Sequence, residues 1–406
     1  MIQRTLQKKI NELSGYYPAV VVTGPRQSGK TTLCRMTFPE KPYVSLESLD
    51  SRNFAIEDPR GFLAEYADGA IIDEIQQAPD LLSYLQGDID LRPDTGRFIL
   101  TGSQHFGLSQ SISQSLAGRC GVLVLLPPGI EELHEFDNAP RDLFSTLWQG
   151  AYPRIYDQNI PAHQWLADYT TTYVQRDARQ VINIGDLQTF SGFMKLCAGR
   201  TAQEINLAAL GSDVGVSHNT IRAWLSVLET SFIVHRLPAW HINIRKQVVK
   251  APKLHFFDSG LACYLLGIQQ PEQLRHHPLR GAIFESWVFS EVFKSYMHNG
   301  LQPHLFHYRE SRGIEIDLIL EQARALAAVE VKSGATVSRD FFRNFGLLPE
   351  RLQRLPSPPD LHNYLVYGGE VSQKRSQVEV LSWREIGRLF DAAALRPPSP
   401  IPKHNT

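Results

Sequence analysis

Short apolar runs that end in polar residues recur through the first third of the chain. Residues 19–22 precede a glycine-rich loop. Residues 70–72 are followed by two adjacent acidic residues, and residues 98–100 are followed by Thr-Gly-Ser-Gln. A continuous apolar run of this length is typical of a strand buried on both faces of a parallel sheet. The pattern predicts an α/β fold in which polar residues gather at the carboxyl ends of the strands, where open parallel sheets bind ligands.

Proline-rich and helical stretches follow. Residues 129–160 are punctuated by prolines and are predicted to connect two domains. Trp165 and Tyr169 recur at helical spacing, which predicts a helix over residues 165–181. An apolar stripe of the same period predicts another helix over residues 281–296, ahead of two strands with alternating apolar positions.

Composition narrows the class of protein. The chain has 406 residues, 43% hydrophobic and 20% charged, which is typical of two or three folded domains. A formal net charge of -1 excludes a strongly basic whole-protein field, so nucleic-acid contacts would need local patches. Four scattered cysteines argue against a disulfide framework and a zinc ribbon and favour a reducing compartment. With no signal peptide or membrane span predicted, we expect a cytoplasmic protein without a membrane partner.

The loop after the first strand matches the phosphate-binding pattern G-x-x-x-x-G-K-[ST] at Gly24, Gly29, Lys30 and Thr31. Glycines let the backbone approach the phosphates, and the amide groups of a following helix face the anion. The lysine reaches the β- and γ-phosphates, and the threonine hydroxyl ligates Mg²⁺. The residues predicted to hold the nucleotide are Gly24, Pro25, Arg26, Gln27, Ser28, Gly29, Lys30, Thr31 and Thr32.

Polar residues after the next strands supply the remaining chemistry. Asp73 is predicted to hold Mg²⁺ and Glu74 to activate the attacking water as a general base. Ser103, Gln104 or Thr101 would contact the γ-phosphate or the water. Arg119 is open to two interpretations: an ordinary surface cation, or an arginine that stabilises the transition state at a neighbouring subunit's nucleotide.

In this order, Thr-Gly-Pro-Arg-Gln-Ser-Gly-Lys-Thr-Thr-Leu, Ile-Ile-Asp-Glu-Ile-Gln and Ile-Leu-Thr-Gly-Ser-Gln resemble the bacterial and archaeal AAA-type (AAA+) ATPases with a C-terminal domain of unknown function numbered 4143. The resemblance implies ATP and Mg²⁺ as cofactors and a homo-oligomer, a hexamer-type ring. It also implies roles for individual residues: Walker A Lys30 and Thr31, Walker B Asp73 and Glu74, sensor 1 at Ser103 or Gln104, and an arginine finger at Arg119. It identifies no second sensor arginine.

Residues 203–229 have the layout of a helix-turn-helix, with a second helix that Ser217 caps. His218, Asn219 and Arg222 fall on the side of that helix opposite its apolar face. We therefore expect these three residues to contact DNA, through backbone phosphates rather than bases. A winged helix used for packing or oligomerisation would carry the same pattern. Nearby positive charge comes from Arg245, Lys246, Lys250 and Lys253.

The last third of the chain carries a set of carboxylates and a lysine. Alternation along two strands brings Asp317, Glu330 and Lys332 together, and Glu285 arrives from the preceding helix. Asp317 and Glu330 would bind Mg²⁺ through oxygen, and Lys332 would neutralise developing charge. This spacing resembles the PD-(D/E)xK phosphodiesterase superfamily, which implies a nuclease-like fold. Such a domain either cleaves DNA or serves as a binding or structural unit. His298, His304 and His307 are predicted to be surface or strand residues.

The expected fold class is α/β: a P-loop AAA+ parallel-sheet ATPase core, a winged-helix or helical segment, and a small α/β restriction-endonuclease-like domain. The predicted domains are residues 1–155 (ATPase), 156–250 (helical and winged helix), 251–392 (nuclease-like) and 393–406 (disordered tail). The expected function is ATP-driven binding or remodelling of DNA, with recognition of DNA structure rather than sequence. Branched or repair-related DNA is the expected kind of substrate. The alternative is an ATP-dependent switch with a non-catalytic C-terminal module. A kinase is disfavoured because no second substrate motif is present.

Overall fold

The computed structural model describes residues 2–103, 112, 114–173, 187–241, 250–310, 314–322, 325–346, 349, 352 and 358–392. Gln104, Arg245, Lys246 and the predicted tail at 393–406 lie outside the described residues. Three expectations therefore stay predictions: Gln104 as an alternative for sensor 1, the positive charges of Arg245 and Lys246, and a disordered tail at residues 393–406.

Within the described residues, five parallel strands form the amino-terminal sheet: β1 (Ala19–Thr23), β2 (Tyr43–Ser45), β3 (Ile71–Asp73), β4 (Phe98–Thr101) and β5 (Cys120–Val124). Their order is β2-β3-β4-β1-β5. β4 therefore lies between β1, which leads into the phosphate loop, and β3, which ends in the carboxylates. The predicted parallel-sheet α/β core is confirmed.

Helices cover both faces of this sheet, which is why β1 is apolar at consecutive positions. Val20 and Val22 pack into one core cluster with residues of α1 (Leu6–Ser14) and α2 (Lys30–Thr37). Ala19 and Val21 point into a second cluster, on the other face. The helices that contribute to that second cluster are α3 (Leu49–Glu57), α4 (Pro59–Glu65) and α5 (Leu81–Leu91).

The predicted connector at residues 129–160 is wrong, because three short helices occupy it: α6 (Ile130–Leu133), α7 (Leu143–Gln149) and α8 (Pro153–Asp157). Asp142 caps α7 by accepting a hydrogen bond from the Ser145 amide at 3.1 Å. Pro153 is the first residue of α8, where its fixed φ suits a helix start. Pro153 thus begins a helix rather than interrupting one.

The middle of the chain is helical, followed by a small antiparallel sheet. The helices are α9 (Ala162–Tyr173), α10 (Leu187–Ala198), α11 (Leu207–Val214) and α12 (His218–Thr230). The sheet has the order β6-β8-β7, with β6 (Gln203–Glu204), β7 (Val234–Leu237) and β8 (Lys253–Phe256). β8 therefore pairs with strands of the middle region although it follows the predicted boundary at residue 250.

A mixed sheet forms the C-terminal region, preceded by α13 (Ser259–Leu265), α14 (Pro271–His276) and α15 (Arg280–His298). Its order is β13-β14-β12-β11-β10-β9. The strands are β9 (Leu305–Arg309), β10 (Glu315–Gln322), β11 (Ala325–Lys332), β12 (Asp360–Tyr367), β13 (Gln373–Lys374) and β14 (Glu379–Ser382), and α16 (Arg388–Ala392) follows them. The antiparallel register of β10 and β11 pairs Leu318 with Val329, which brings Asp317 beside Glu330.

A single hydrophobic core runs from Leu126 to Leu389 and joins the middle and C-terminal regions. α15 lies at its centre and contacts β8, β11 and α13. The predicted apolar stripe of α15 is buried, and so are Glu291, Lys294 and His298, which recur at helical spacing on the same side as Trp287. The prediction of a surface or strand position for His298 is therefore wrong, because segments after β5 pack on that side of α15. Among the described residues, no helix has both the length and the apolarity needed to cross a bilayer.

Candidate functional site

The loop between β1 and α2 has the backbone of a phosphate cradle. Gly24 has φ +139° and Gly29 has φ +94°, both in a region that favours glycine. A Cβ on Gly24 would lie 2.2 Å from the Leu125 carbonyl oxygen, so a side chain there would collide with the neighbouring strand end. Ser28 is buried and its hydroxyl donates a hydrogen bond to the Pro25 carbonyl at 3.0 Å. The local pattern thus fixes a tight turn that leads directly into α2.

Lys30 lies inside this loop. Its ammonium donates hydrogen bonds to the Pro25 carbonyl at 2.8 Å and to the Gly24 carbonyl at 3.3 Å. Burial lowers the pKa of Lys30 to about 8, whereas the carboxylates of Glu74 and Asp73 act to raise it. A buried ammonium held by carbonyls gains strongly from an anionic partner, which phosphate oxygens supply.

Asp73, at the carboxyl end of β3, accepts hydrogen bonds from three hydroxyl groups. Thr31 Oγ1 lies 3.0 Å and 3.1 Å from its two oxygens, and Tyr43 Oη lies 2.9 Å from Oδ2. Thr101 also donates to Asp73 from the neighbouring strand β4. Thr31 and Asp73 were predicted to share a Mg²⁺ ion, and they are adjacent oxygen donors of the kind this ion prefers. Tyr43 had no sequence signal, because β2 becomes a neighbour of β3 only in the sheet.

Glu74 has a strained backbone. Its φ of +57° lies in the left-handed region, and such strain persists where the surrounding structure imposes it, often at functional sites. Gln76 donates a hydrogen bond to its carboxylate. Burial raises the pKa of Glu74, while the nearby Lys30 acts to lower it. A half-buried carboxylate with a raised pKa has the basicity expected of a proton acceptor.

A cavity of about 490 Å³ brings the predicted residues together, and its lining includes Arg26, Gln27, Gly29, Lys30, Thr31, Thr32, Glu74 and Ser103. Ser103 is buried, and its hydroxyl has no hydrogen-bond partner among the described residues. A buried hydroxyl without a partner is costly, so a polar group entering the cavity would stabilise it. The site therefore fits a phosphorylated ligand beside Ser103.

Sequence reasoning missed further residues of this cavity. Arg154 and Gln158 come from α8 and its end, within the region predicted to be a connector, and Phe136 follows α6. Arg154 adds another guanidinium to the cavity, besides Arg26 of the phosphate loop. The signal available in the sequence was Tyr-Pro-Arg at 152–154, a proline-initiated helix start directly followed by a basic residue.

Arg4 connects the phosphate loop to the segment that follows β5. This buried guanidinium donates to the Ser28 carbonyl at 3.0 Å, to the Leu126 carbonyl at 2.7 Å and to the Glu132 carboxylate at 3.0 Å. Glu132 in turn lies 3.4 Å from His298 Nδ1 at the end of α15. The loop is thereby connected through two side chains to the central helix of the C-terminal region.

Arg119 lies just before β5, at the opposite end of the strands from the phosphate loop. Its guanidinium makes a bidentate ion pair with Asp90 of α5, with Nε 2.6 Å from Oδ1 and Nη2 3.0 Å from Oδ2. Both side chains are partly exposed. The arginine is therefore on the surface and distant in the sheet from its own chain's phosphate loop.

The predicted DNA-contacting residues share one exposed face of α12. His218, Asn219 and Arg222 are exposed, and Arg222 Nη2 lies 3.1 Å from His218 Nε2. Ser217 caps the helix by accepting a hydrogen bond from the Thr220 amide at 3.1 Å. The opposite face is buried as expected, through Ile221, Trp224, Leu225 and Leu228.

The four C-terminal residues predicted to converge do so. Lys332 Nζ lies 2.7 Å from Glu330 Oε2 and 3.3 Å from Asp317 Oδ2. Asp317 Oδ2 also accepts the Val331 amide at 2.8 Å, and Glu330 Oε1 accepts the Asn344 side-chain amide at 3.0 Å. Asn344 was not anticipated, because it reaches the cluster from a short helix beyond the two strands.

Lys253 is the unexpected member of this cluster. It was counted among the positive charges near the predicted helix-turn-helix, yet it is only 2% exposed. Its ammonium lies 3.0 Å from Glu285, 2.7 Å from Glu315 and 3.9 Å from Asp317. Burial raises the pKa of Glu285 to about 8, an effect that Asp317 strengthens and Lys253 opposes. Within the part of the chain that the structure describes, no three His, Cys, Asp or Glu side chains are arranged to hold a metal ion.

Three families match consecutive parts of the sequence. The family described as "AAA domain" matches residues 16–134, a domain of unknown function numbered 8612 matches residues 140–272, and the domain of unknown function numbered 4143 matches residues 280–386. The first match covers the parallel sheet and the phosphate loop. The third covers α15 and the mixed sheet.

Two mycobacterial relatives are similar along most of the chain. Uncharacterized proteins of Mycobacterium tuberculosis and Mycobacterium bovis are each 29% identical over 359 residues, which span 87% of this chain and 77% of theirs. The similarity covers most of the chain rather than the parallel sheet alone.

Solved structures with similar folds include P-loop proteins. A Walker-type ATPase of Pyrococcus abyssi has a TM-score of 0.43 and 15% identity, covering 64% of this chain and 94% of its own. RuvB of Thermotoga maritima has a TM-score of 0.30 and 20% identity, covering 58% of this chain and 90% of its own. The replication initiator DnaA, bound to AMPPCP and single-stranded DNA, has a TM-score of 0.31 and 13% identity, with coverages of 55% and 86%.

Proposed function

Because the chain joins an AAA domain to a DUF4143 domain, we propose that it binds ATP with Mg²⁺, hydrolyses the ATP, and uses this cycle on DNA. One observation carries the hydrolysis part: Lys30, Thr31, Glu74 and Ser103 line one cavity, and Asp73 accepts a hydrogen bond from Thr31. Phosphate release from ATP in a single turnover tests this part.

In the proposed reaction, water attacks the γ-phosphorus, the bond to the β–γ bridging oxygen breaks, and ADP leaves with that oxygen. Glu74 accepts the proton that the water loses. Lys30 neutralises charge on the phosphoryl oxygens, and the Ser103 hydroxyl donates a hydrogen bond to the phosphate or the water. Thr31 and Asp73 would hold Mg²⁺, which when bound neutralises charge on the phosphates.

Arg119 is proposed to act on a neighbouring copy of the chain, in a ring-shaped homo-oligomer. Its surface position at the far end of the strands supports contact with another subunit's nucleotide. The Asp90 contact would hold the guanidinium in place until that subunit docks.

We expect Arg119→Ala and Lys30→Ala each to be nearly inactive as ATPases and a mixture of the two to recover activity. Mixed oligomers would contain subunits with an intact Lys30 next to subunits with an intact Arg119. Phosphate release measured across mixing ratios checks this. If the mixture stays as inactive as either variant alone, or if Arg119→Ala alone turns over at the wild-type rate, the arginine does not act between subunits.

DNA contact is proposed for the exposed face of α12. A winged helix is supported by the order of elements along the chain, which is α10, β6, α11, α12, β7 and β8. In a helix-turn-helix the second helix commonly lies against DNA, and here that helix is α12. His218, Asn219 and Arg222 share the exposed face of that helix. Since one of the three is a permanent cation, we propose phosphate contacts that recognise DNA shape rather than base sequence.

Arg222→Ala is expected to weaken DNA binding several-fold and to lower the slope of log affinity against log salt by about 1, as for the loss of one phosphate contact. Fluorescence anisotropy with single-stranded, duplex and branched DNA, with and without ATP, measures both quantities. The matched control is Arg60→Ala, which removes the same charge from an exposed position on α4. Equal losses in the two variants would indicate a general charge effect and contradict a contact at α12.

A further inference from the structure

We infer that the buried ammonium of Lys253 takes the place of a divalent cation in the acidic cluster of the C-terminal region, so that this cluster binds no Mg²⁺. The resemblance to PD-(D/E)xK phosphodiesterases implies a metal held by Asp317 and Glu330. The side chains present do not fit that ion. This inference is independent of ATP hydrolysis, because it concerns a separate set of residues.

The position of Lys253 is the first argument. Its Nζ lies between three carboxylates, 3.0 Å from Glu285, 2.7 Å from Glu315 and 3.9 Å from Asp317. These partners come from the helix α15 and the strand β10. A cation at the meeting point of several carboxylates performs the charge neutralisation that a bound metal performs in such sites.

The second argument is the burial of the Lys253 side chain. The residue begins β8, where Lys253 pairs with Leu237 of β7 and Glu204 of β6. Its side chain is 2% exposed, so moving it aside would separate a buried charge from its partners. A buried charge left without partners is strongly destabilising. An entering dication would also repel the ammonium at short range.

The third argument concerns the remaining oxygen atoms. Asp317 Oδ2 accepts the Val331 amide and lies 3.3 Å from the Lys332 ammonium. Both oxygens of Glu330 are engaged, one by Lys332 at 2.7 Å and the other by Asn344 at 3.0 Å. Mg²⁺ demands near-octahedral oxygen ligands at about 2.0–2.1 Å. Three of the four carboxylate oxygens of Asp317 and Glu330 are thus used by the chain's own donors, and the fourth, Asp317 Oδ1, faces the Lys253 ammonium at 3.9 Å.

The cluster therefore connects the middle and C-terminal regions through buried ion pairs, and we call it the ion-pair joint. Lys253 belongs to the three-stranded sheet that carries α12, whereas Glu285 and Asp317 belong to α15 and the mixed sheet. α15 continues from this joint to Glu291, whose carboxylate accepts the Ile130 amide at 2.6 Å behind the ATPase sheet. One rigid helix thus connects the joint with the segment that follows β5.

The test is Mn²⁺ binding to nucleotide-free full-length protein, followed by the paramagnetic resonance signal of free Mn²⁺. All proteins carry Asp73→Asn, so that the phosphate-loop carboxylate is not counted. We expect the background protein and Asp317→Asn to bind the same number of ions. We expect Lys253→Met to gain one site per chain, and that gain to disappear in Lys253→Met/Asp317→Asn.

Two results would overturn the inference. One is a Mn²⁺ site in the background protein that Asp317→Asn removes. The other is a folded Lys253→Met protein, judged by circular dichroism and a cooperative thermal transition, that gains no site. If Lys253→Met does not fold, the comparison of the background protein with Asp317→Asn still decides whether the cluster binds an ion.

Discussion

The Lys30→Ala variant is expected to hydrolyse ATP about 10²–10³-fold more slowly than the wild type, as for the loss of one electrostatic stabiliser of transition-state charge. The ammonium lies inside the phosphate loop and is held there by the Pro25 and Gly24 carbonyls. Alanine leaves the developing charge on the phosphoryl oxygens without this cation. Steady-state phosphate release measures the rate, and a fluorescent ATP analogue measures the affinity, which we expect to fall as well.

Lys374→Ala is the matched control for this variant, because it removes an exposed lysine from the C-terminal sheet. We expect the control to retain the wild-type rate and affinity. Circular dichroism of both variants separates loss of catalysis from loss of folding, since Lys30 also lies near the carboxylates of Asp73 and Glu74. Wild-type hydrolysis by a folded Lys30→Ala protein would contradict the assignment of the phosphate loop.

The Glu74→Gln variant is expected to bind ATP and to hydrolyse it about 10²–10⁴-fold more slowly, the range that a general base contributes. Glutamine has nearly the same shape as glutamate and keeps the hydrogen-bonding capacity toward Gln76, but it cannot accept the proton of the attacking water. The expected signature is therefore a nearly unchanged affinity for the ATP analogue together with a collapse of kcat.

Glu40→Gln, at an exposed position after α2, is the control and should hydrolyse ATP normally. A Glu74→Gln protein with unaltered turnover would show that another group activates the water. A protein that no longer binds nucleotide would instead point to a role of Glu74 in the structure of the loop. The affinity measurement distinguishes these two results.

Local patterns predicted much of the ATPase core. The apolar run at β1, the glycine loop and the carboxylates after β3 each depend on a few neighbouring residues, and their elements lie where expected. The signal for α12 was equally local, because its cap at Ser217 and its buried stripe follow from helical spacing, and both are present. The alternation of β10 and β11 also predicted correctly that Asp317, Glu330 and Lys332 meet.

The remaining features depend on contacts between distant parts of the chain. Lys253 belongs to β8 of the three-stranded sheet, and only the packing of α15 against this strand brings it to Glu285. Arg4 looked like an ordinary polar residue near the amino terminus, yet its guanidinium reaches the carbonyl of Leu126, far along the chain. Residues 129–160 were assigned to a connector because their prolines were interpreted as interruptions, whereas Pro153 begins a helix.

The most direct test of the ATPase is a single-turnover experiment with the wild-type protein in excess over radiolabelled ATP and Mg²⁺, with and without DNA. With protein in excess, each ATP is hydrolysed once, so the observed rate does not depend on product release. The structure predicts conversion of the bound ATP to ADP and phosphate, at a rate that falls in Lys30→Ala and in Glu74→Gln. Intact ATP in both samples, with no phosphate above the level of the Lys30→Ala protein, would contradict hydrolysis at this site.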